Sequence, residues 1–443
     1  MRPVPTQRLP RIATFCLLIP VILAILTISS CTKSQPAGPN VVVIVIDTLR
    51  ADHLPFYGYP KNTAPFISTL AKQGVVCEHT HSTSSWTAPA TASIVTSLNP
   101  IQHGVLTGFQ AVQVLQADDP TITLNKIPAD VQTMAEAFQE AGYKTWSVTD
   151  NLNISRESAF DQGFDRFWNF NYMGAQNLNA QIVNRVEELK GDEPYLLYMQ
   201  YMDPHRPYNP RPPLFKKQNT DLAHDISAYD SEIHYVDQKI RELYDLLGWD
   251  ENTIIVVTSD HGEEFMDHGD WDHGRTLYGE VIDVPLVFYS SADSLAVGRI
   301  SERVSVLDIL PTLRDFAGLA PQATDAGVSL ARALVGRGSV AADRALYSDL
   351  RSPPWFESRV LKSVIRGDEK YILTLPDEEE LYDLAGDPGE QSVVEDASGE
   401  KTGALLDLLR VFEAECPKYT AETVETTIDP KLMKKLKSLG YVR

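Results

Sequence analysis

Val41-Val42-Val43-Ile44-Val45-Ile46, followed at once by Asp47, decides the fold. Six β-branched apolar residues in succession leave no polar side for water. The run therefore reads as a strand buried on both faces, as in a parallel sheet. Thr253-Ile254-Ile255-Val256-Val257-Thr258 repeats the pattern, and residues 196–201, 284–289 and 144–148 are weaker versions of it. Helical periodicity lies between them, over 133–140 and over 226–247. In the longer segment Ile233, Val236, Ile240, Leu243 and Leu247 fall on one stripe. Strands alternating with helices predict an α/β architecture, a large and mostly parallel sheet sandwiched by helices, with ligands at the carboxyl ends of its strands. After about residue 345 the pattern changes. Residues 370–375 read as an antiparallel strand and 404–415 and 430–439 as helices, which together make a small C-terminal α+β subdomain.

The chain has 443 residues, of which 43% are hydrophobic and 22% charged, enough for a real core. Its net charge is −21, and residues 1–30 contain three Arg and no acid, which leaves −24 on the rest. A body this acidic repels nucleic acid, and any anion site on it must be local and strongly positive. Four Cys cannot build a disulfide framework, and Cys77 and Cys416 read as buried thiols. Arg2, Arg8 and Arg11 precede an apolar run over 12–30, which reads as an export signal. The run ends Ile28-Ser29-Ser30-Cys31, similar to a bacterial lipobox in which the Cys is lipidated. An uncleaved anchor is the rival reading, because the run is about long enough to span a bilayer. Either way the body lies outside the cytoplasm, as an exported bacterial protein attached to the cell envelope. The expected organisation is a leader over 1–30, a tether over 31–39, a catalytic domain over 40–345 and the C-terminal subdomain over 346–443.

Chemistry-bearing residues gather at strand ends. Asp47 follows the first buried strand, and Asp260-His261 follow the strand ending at Thr258. Two carboxylates and an imidazole at one lip of a sheet suit a divalent metal. Asp203-Pro204-His205-Arg206-Pro207-Tyr208 follows the strand near Tyr201, and its prolines hold it as an extended loop. His268 and His273 follow in a Gly-rich, acidic stretch. Thr87 reads as the N-cap of a helix from about Pro89 to Leu98, whose N-terminus would form a local anion site. A threonine hydroxyl there becomes a nucleophile if a metal lowers its pKa.

These residues resemble the sulfatase family of the alkaline phosphatase superfamily. The match is carried by Val41–Asp47 with Thr48 to Asp52; by Trp86 to Thr96 with Asn99-Pro100 and His103-Gly104; by Asp203 to Tyr208; and by Ser259 to Glu264 with His273-Gly274 and Thr276-Leu277-Tyr278. Glu380-Leu381-Tyr382-Asp383-Leu384 and Asp387-Pro388-Gly389-Glu390 are also similar. The resemblance implies that Asp47, Asp260 and His261 bind metal, that Thr87 is nucleophile and fourth ligand, that His205 and His273 act on the substrate, and that Asn151 contacts it. Asp203, His205 and His273 either contact the substrate directly, the reading preferred, or hold a second metal.

The departures are informative. Sulfatases that use formylglycine carry Cys or Ser at the nucleophile, in a Cys/Ser-x-Pro-x-Arg signature. Here the register reads Thr87-Ala88-Pro89-Ala90-Thr91, and threonine cannot mature to formylglycine. Thr48 stands for a second Asp, His261 for Asn and His273 for Lys. These changes move the site from calcium's oxygen set toward imidazole, and so toward zinc or manganese. The pattern is similar to threonine-dependent branches of the superfamily. The expected function is metal-dependent hydrolysis of sulfate, phosphate or phosphonate esters of a small molecule or glycan. A phosphoglycerol- or phosphoethanolamine-type transferase, or a silent relative that binds an anionic glycan, are the alternatives.

Overall fold

The computed structural model describes Met1, Pro3 and residues 38–109, 121–191, 193–249, 251–292, 294–351, 359–427, 430, 431 and 434. The leader, Cys31 and most of the helix expected over 430–439 lie outside the described residues. Among the described residues, no helix is long and apolar enough to cross a membrane.

The strand Asn40–Ile46 lies in the middle of a nine-stranded sheet. It pairs in parallel with Tyr195–Tyr201 on one side and Thr253–Thr258 on the other. Beyond Tyr195–Tyr201 come Lys144–Thr149 and Arg166–Asn169, both parallel. On the other side Asp283–Ser290 runs antiparallel to Thr253–Thr258 and to Val75–His81, and Gly298–Ile300 and Val304–Ser305 pair in parallel with the latter. Only Asp283–Ser290 opposes the common direction among the described strands. Its equivalent stretch in the sequence is as apolar as its neighbours, so hydrophobicity alone carries no sign of its direction. The other strands deliver their carboxyl ends to one lip.

Apolar side chains from the two faces of the central strand enter different cores. Val41, Val43 and Val45 pack with Ala92 and Ile94 of the helix Thr87–Thr96 and with Leu98 just beyond it. Val42, Ile44 and Ile46 pack with Ile233, Val236, Ile240 and Leu243 of the helix Asp221–Leu247. That helix starts before the periodic stripe, where Thr220 accepts from Ala223 N–H. The shorter helix is Met134–Glu140, and Thr133 caps it with Glu136 answering as a capping box.

Leu346–Arg351, Val360–Arg366, Glu369–Thr374 and Glu378–Asp383 form a separate four-stranded antiparallel sheet. Leu405 and Leu409 of the helix Glu400–Glu415 pack on its Val364, Tyr371 and Leu381. Cys77 is buried in Val75–His81 as expected. Cys416 is only half-buried, because it is the C-cap residue where the helix Glu400–Glu415 ends.

Candidate active site

Three of the expected metal ligands meet at the lip. One ligand atom each of Asp47, Asp260 and His261 lies within 4.8 Å of the other two, and all three residues are fully buried. The backbone places them. Ser259 Oγ accepts Leu49 N–H at 2.9 Å and lies 2.6 Å from the carbonyls of both Ile46 and His261, so one hydroxyl staples the ends of two neighbouring strands. Asp47 N–H donates to Tyr201 O at 2.9 Å, which ties in the third.

The helix carrying Thr87 approaches from one face of the sheet. Here the sequence reading is corrected. Trp86, extended at φ −157° and ψ 162°, is the N-cap residue and no side chain caps the helix. Thr87 is the first helical residue, and its hydroxyl turns into the site instead of toward its own helix. Its Oγ1 lies 3.4 Å from Asp47 Oδ2, 3.3 Å from His261 Nε2 and 3.2 Å from Asn151 Nδ2. Asn151 also donates to Asp47 Oδ2 at 2.9 Å, and its Oδ1 accepts Asn153 N–H at 2.9 Å, which fixes which end of the amide faces Thr87.

The donor chemistry fits a divalent cation. His261 Nδ1 donates to the Gly262 carbonyl at 2.9 Å, so its proton is on that nitrogen and the Nε2 lone pair faces the carboxylates, 3.6 Å from Asp47 and 3.7 Å from Asp260. Burial, with the His273 charge second, pushes the imidazole down to about 3, so it stays neutral. Burial pushes Asp260 up to about 6, and raises Asp47 with the charge of Asp260 second. Asp47 Oδ1 is buried without a hydrogen-bond partner. Two buried carboxylates facing one neutral imidazole, with an orphaned oxygen, form a site short of positive charge.

Gln200 was not singled out from the sequence. Its Nε2 donates to Asp260 Oδ2 at 3.1 Å and Asp47 Oδ2 at 3.4 Å, while its Oε1 accepts Tyr198 O–H at 2.8 Å and Thr91 O–H at 3.4 Å. A polar residue inside the otherwise apolar run 196–201 was the available signal. Thr91, where the formylglycine signature has Arg, thus orients an amide that lies between the two carboxylates. Thr48, where the family has a second Asp, sits at φ +58° and spends its hydroxyl on the Asp47 carbonyl at 2.7 Å.

His205 and His273 do stand together, with ring centroids 4.9 Å apart, and the His273 ring lies 4.3 Å from that of His261. Asp203 does not join them. Its carboxylate accepts Ala175 N–H at 2.9 Å, at the start of the helix Ala175–Val183, and faces Arg211 at 3.4 Å. Local capping has claimed it, so Asp203, His205 and His273 do not form a ligand set. Instead Glu263 and Asp272 close on His273. His268 is a structural residue: it bonds Glu280 at 2.6 Å and the Glu390 carbonyl at 3.0 Å and stacks on Tyr278.

A mostly parallel sheet packed between helices, with acidic and imidazole groups gathered at the lip of its carboxyl ends, is the architecture of the alkaline-phosphatase-like fold. The comparisons with known proteins agree. A family model described as Sulfatase matches residues 39–319. The arylsulfatase of Hemicentrotus pulcherrimus is 24% identical over 361 residues, 68% of this chain and 62% of that protein, so the chain spans less than two thirds of it. The N-acetylglucosamine-6-O-sulfatase of Bacteroides thetaiotaomicron is 23% identical over 94% of each chain. The crystal structure of a phosphonate monoester hydrolase of Agrobacterium radiobacter superposes with a TM-score of 0.68 at 18% identity, covering 88% of this chain and 100% of that one. This chain belongs to the sulfatase family.

Proposed function

We propose that the chain is a metal-dependent hydrolase of sulfate or phosphate/phosphonate esters that attacks through Thr87. The observation that carries this reading is the placement of Thr87 Oγ1 against Asp47, His261 and Asn151 within 3.2–3.4 Å. Asp47, Asp260 and His261 would hold the ion with Thr87 as fourth ligand, and the imidazole in the set favours zinc or manganese over calcium. When bound, the ion supplies Lewis acidity and positive charge at the reacting oxygens.

The chain's own groups do the rest. Thr87 Oγ1 bonds to sulfur or phosphorus, and its proton passes to Asp47 Oδ2, the acceptor it already faces. The bond to the leaving oxygen breaks, and that oxygen departs with the electron pair toward His205 and His273, one of which protonates it. The Asn151 amide donates to charge that develops on the transferred group. Water then cleaves the threonine ester, the histidine regains its proton from that water, and Asp47 returns its proton to Oγ1. Asp47, Asp260 and the neutral His261 bring no cation of their own, which suits a substrate that meets the metal directly. A relative named as a sugar sulfatase supports a sulfated glycan as the substrate. The basic, apolar leader ending at Cys31 supports export and attachment to the cell envelope by a lipidated Cys31; labelling with a radioactive fatty acid, lost in Cys31→Ser, tests this part.

The experiment is turnover by protein lacking residues 1–31, loaded with zinc, manganese or calcium, on p-nitrophenyl sulfate, phosphate and phosphonate esters. Thr87→Ala should lower turnover at least about 1,000-fold while leaving bound metal near wild type. Turnover that survives Thr87→Ala, or proceeds fully in chelator, would refute the reading.

A further inference from the structure

Glu263 stands two residues beyond His261, and no step above uses it. Its side chain is fully buried. The backbone around it is held at every polar atom: Gly262 N–H donates to Val281 O at 2.9 Å, Glu263 N–H to Glu280 O at 3.1 Å, and the Glu263 carbonyl accepts from Arg50 at 3.0 Å. Gly262 passes so close to this neighbour that a Cβ would lie 2.0 Å from Glu280 O. A carboxylate on such a segment cannot wander. Its Oε1 lies 3.0 Å from His273 Nδ1, and Asp272 Oδ1 lies at the same distance from that nitrogen.

Two carboxylates can only accept, so Nδ1 must carry the proton. Nε2 is then the ring nitrogen left for chemistry, and the His205 and His261 rings lie beside this ring with centroids at 4.9 and 4.3 Å. We propose that Glu263, assisted by Asp272, is the positioning residue for His273: it accepts the Nδ1–H hydrogen bond, fixes the ring's orientation, and turns Nε2–H to the departing oxygen. This rests on the hydrolase reading above and names which of the two histidines serves the leaving group. As the bond between sulfur or phosphorus and the leaving oxygen breaks, the Nε2 proton moves to that oxygen and the ring is left neutral with Nδ1–H still held. Water restores the Nε2 proton when it cleaves the threonine ester.

Burying a carboxylate is costly unless it is paired, and His273 is the partner that Glu263 Oε1 faces.

The test compares Glu263→Gln, Glu263→Ala, His273→Ala and the double variant Glu263→Ala/His273→Ala, each loaded with manganese. On alkyl esters, whose leaving oxygen needs a proton, Glu263→Ala should lose about 100-fold in kcat with KM within about 3-fold. On p-nitrophenyl esters the loss should be about 5-fold. Glu263→Gln, which keeps an acceptor at Oε1, should recover about 10-fold over Ala and unfold no earlier than wild type. The double variant should be no slower than His273→Ala alone. Losses that multiply in the double variant, or that are equal for both leaving groups, would overturn the proposal. A readout free of turnover separates it from the hydrolase reading. In protein with ¹⁵N-labelled histidine, the His273 signals should report a slowly exchanging Nδ1–H in wild type and Glu263→Gln, and a shifted, faster-exchanging Nδ1–H in Glu263→Ala, where Asp272 alone remains. A His273 ring without the Nδ1 proton in wild type would refute the positioning role even if hydrolysis is intact; Nδ1–H present in a protein that cleaves no ester would refute the hydrolase reading alone.

Discussion

Acidification should destabilise this protein through His103, and the size of the effect follows from its contacts. His103 is fully buried under the helix that carries Thr87. Its Nδ1 accepts Val105 N–H at 3.0 Å, so the ring's proton is on Nε2, 3.1 Å from Ser93 Oγ, which in turn accepts Thr83 O–H at 2.7 Å. A second proton would have to sit on Nδ1, facing another N–H donor in a fully buried position. Burial accordingly pushes this imidazole down to about 3, against about 6.5 in an unfolded chain. Below about pH 6.5 the unfolded chain therefore binds a proton that the folded one refuses. Stability falls as pH drops, by about 1.4 kcal/mol per unit until pH approaches 3. Between pH 8 and pH 5 the loss from this group is about 2 kcal/mol. His103→Asn places an amide oxygen near the Nδ1 position and removes the titration. Urea unfolding of wild type and variant in chelator, at both pH values, isolates the term, because His261 and the site carboxylates titrate alike in both. The variant should be less stable at pH 8 and lose about 2 kcal/mol less on going to pH 5. An equal loss in the two proteins would refute the assignment of His103 as a buried neutral donor.

Three further outcomes follow from single contacts. Gln200→Leu removes the amide between Asp47 and Asp260; it should cost about 2–3 kcal/mol in chelator and clearly less with manganese bound, measured as urea midpoints with and without the ion. Asp237 accepts Phe66 N–H at 2.9 Å and Ile67 N–H at 2.7 Å, capping from another helix the helix Pro65–Gln73, whose own N-cap residue Ala64 has no side-chain oxygen. Asp237→Ala should cost about 1–2 kcal/mol and raise hydrogen exchange at those two amides. Cys77 is buried and its thiol is raised first by burial and then by Asp308; in protein lacking residues 1–31, a thiol reagent at neutral pH should modify Cys416 in the native state and Cys77 only after unfolding.

Much of the architecture was legible because parallel strands buried on both faces advertise themselves. Residues 41–46 are wholly apolar and 253–258 carry only a terminal Thr at each end, and the observed strands differ from them by one residue at most. Val75–His81 was missed because Glu78, His79, Thr80 and His81 dilute it. It reaches the sheet by pairing with Asp283–Ser290, a contact between residues some 200 positions apart that no local pattern encodes. At the site, Asp47, Asp260 and His261 were readable because each follows a buried strand directly. The expectation for Thr87 as a cap failed on a tertiary contact: a hydroxyl beside a carboxylate and an imidazole serves them before its own helix. Asp203 failed in the other direction, since Arg211 and the Ala175 N–H lie close and claim it. Glu263 carried no local sign at all, because its partner His273 is brought to it by the turn through residues 264–272.

The central claim, that Thr87 is the residue that takes the transferred group, is tested most directly by rapid acid quench of the manganese-loaded protein during turnover, followed by mass mapping of its peptides. The account predicts one sulfo or phospho group on the peptide containing Thr87, at that residue, present only with substrate and absent in Thr87→Ala. A modified group on any other side chain, or turnover in a burst assay with Thr87 never modified, would contradict it.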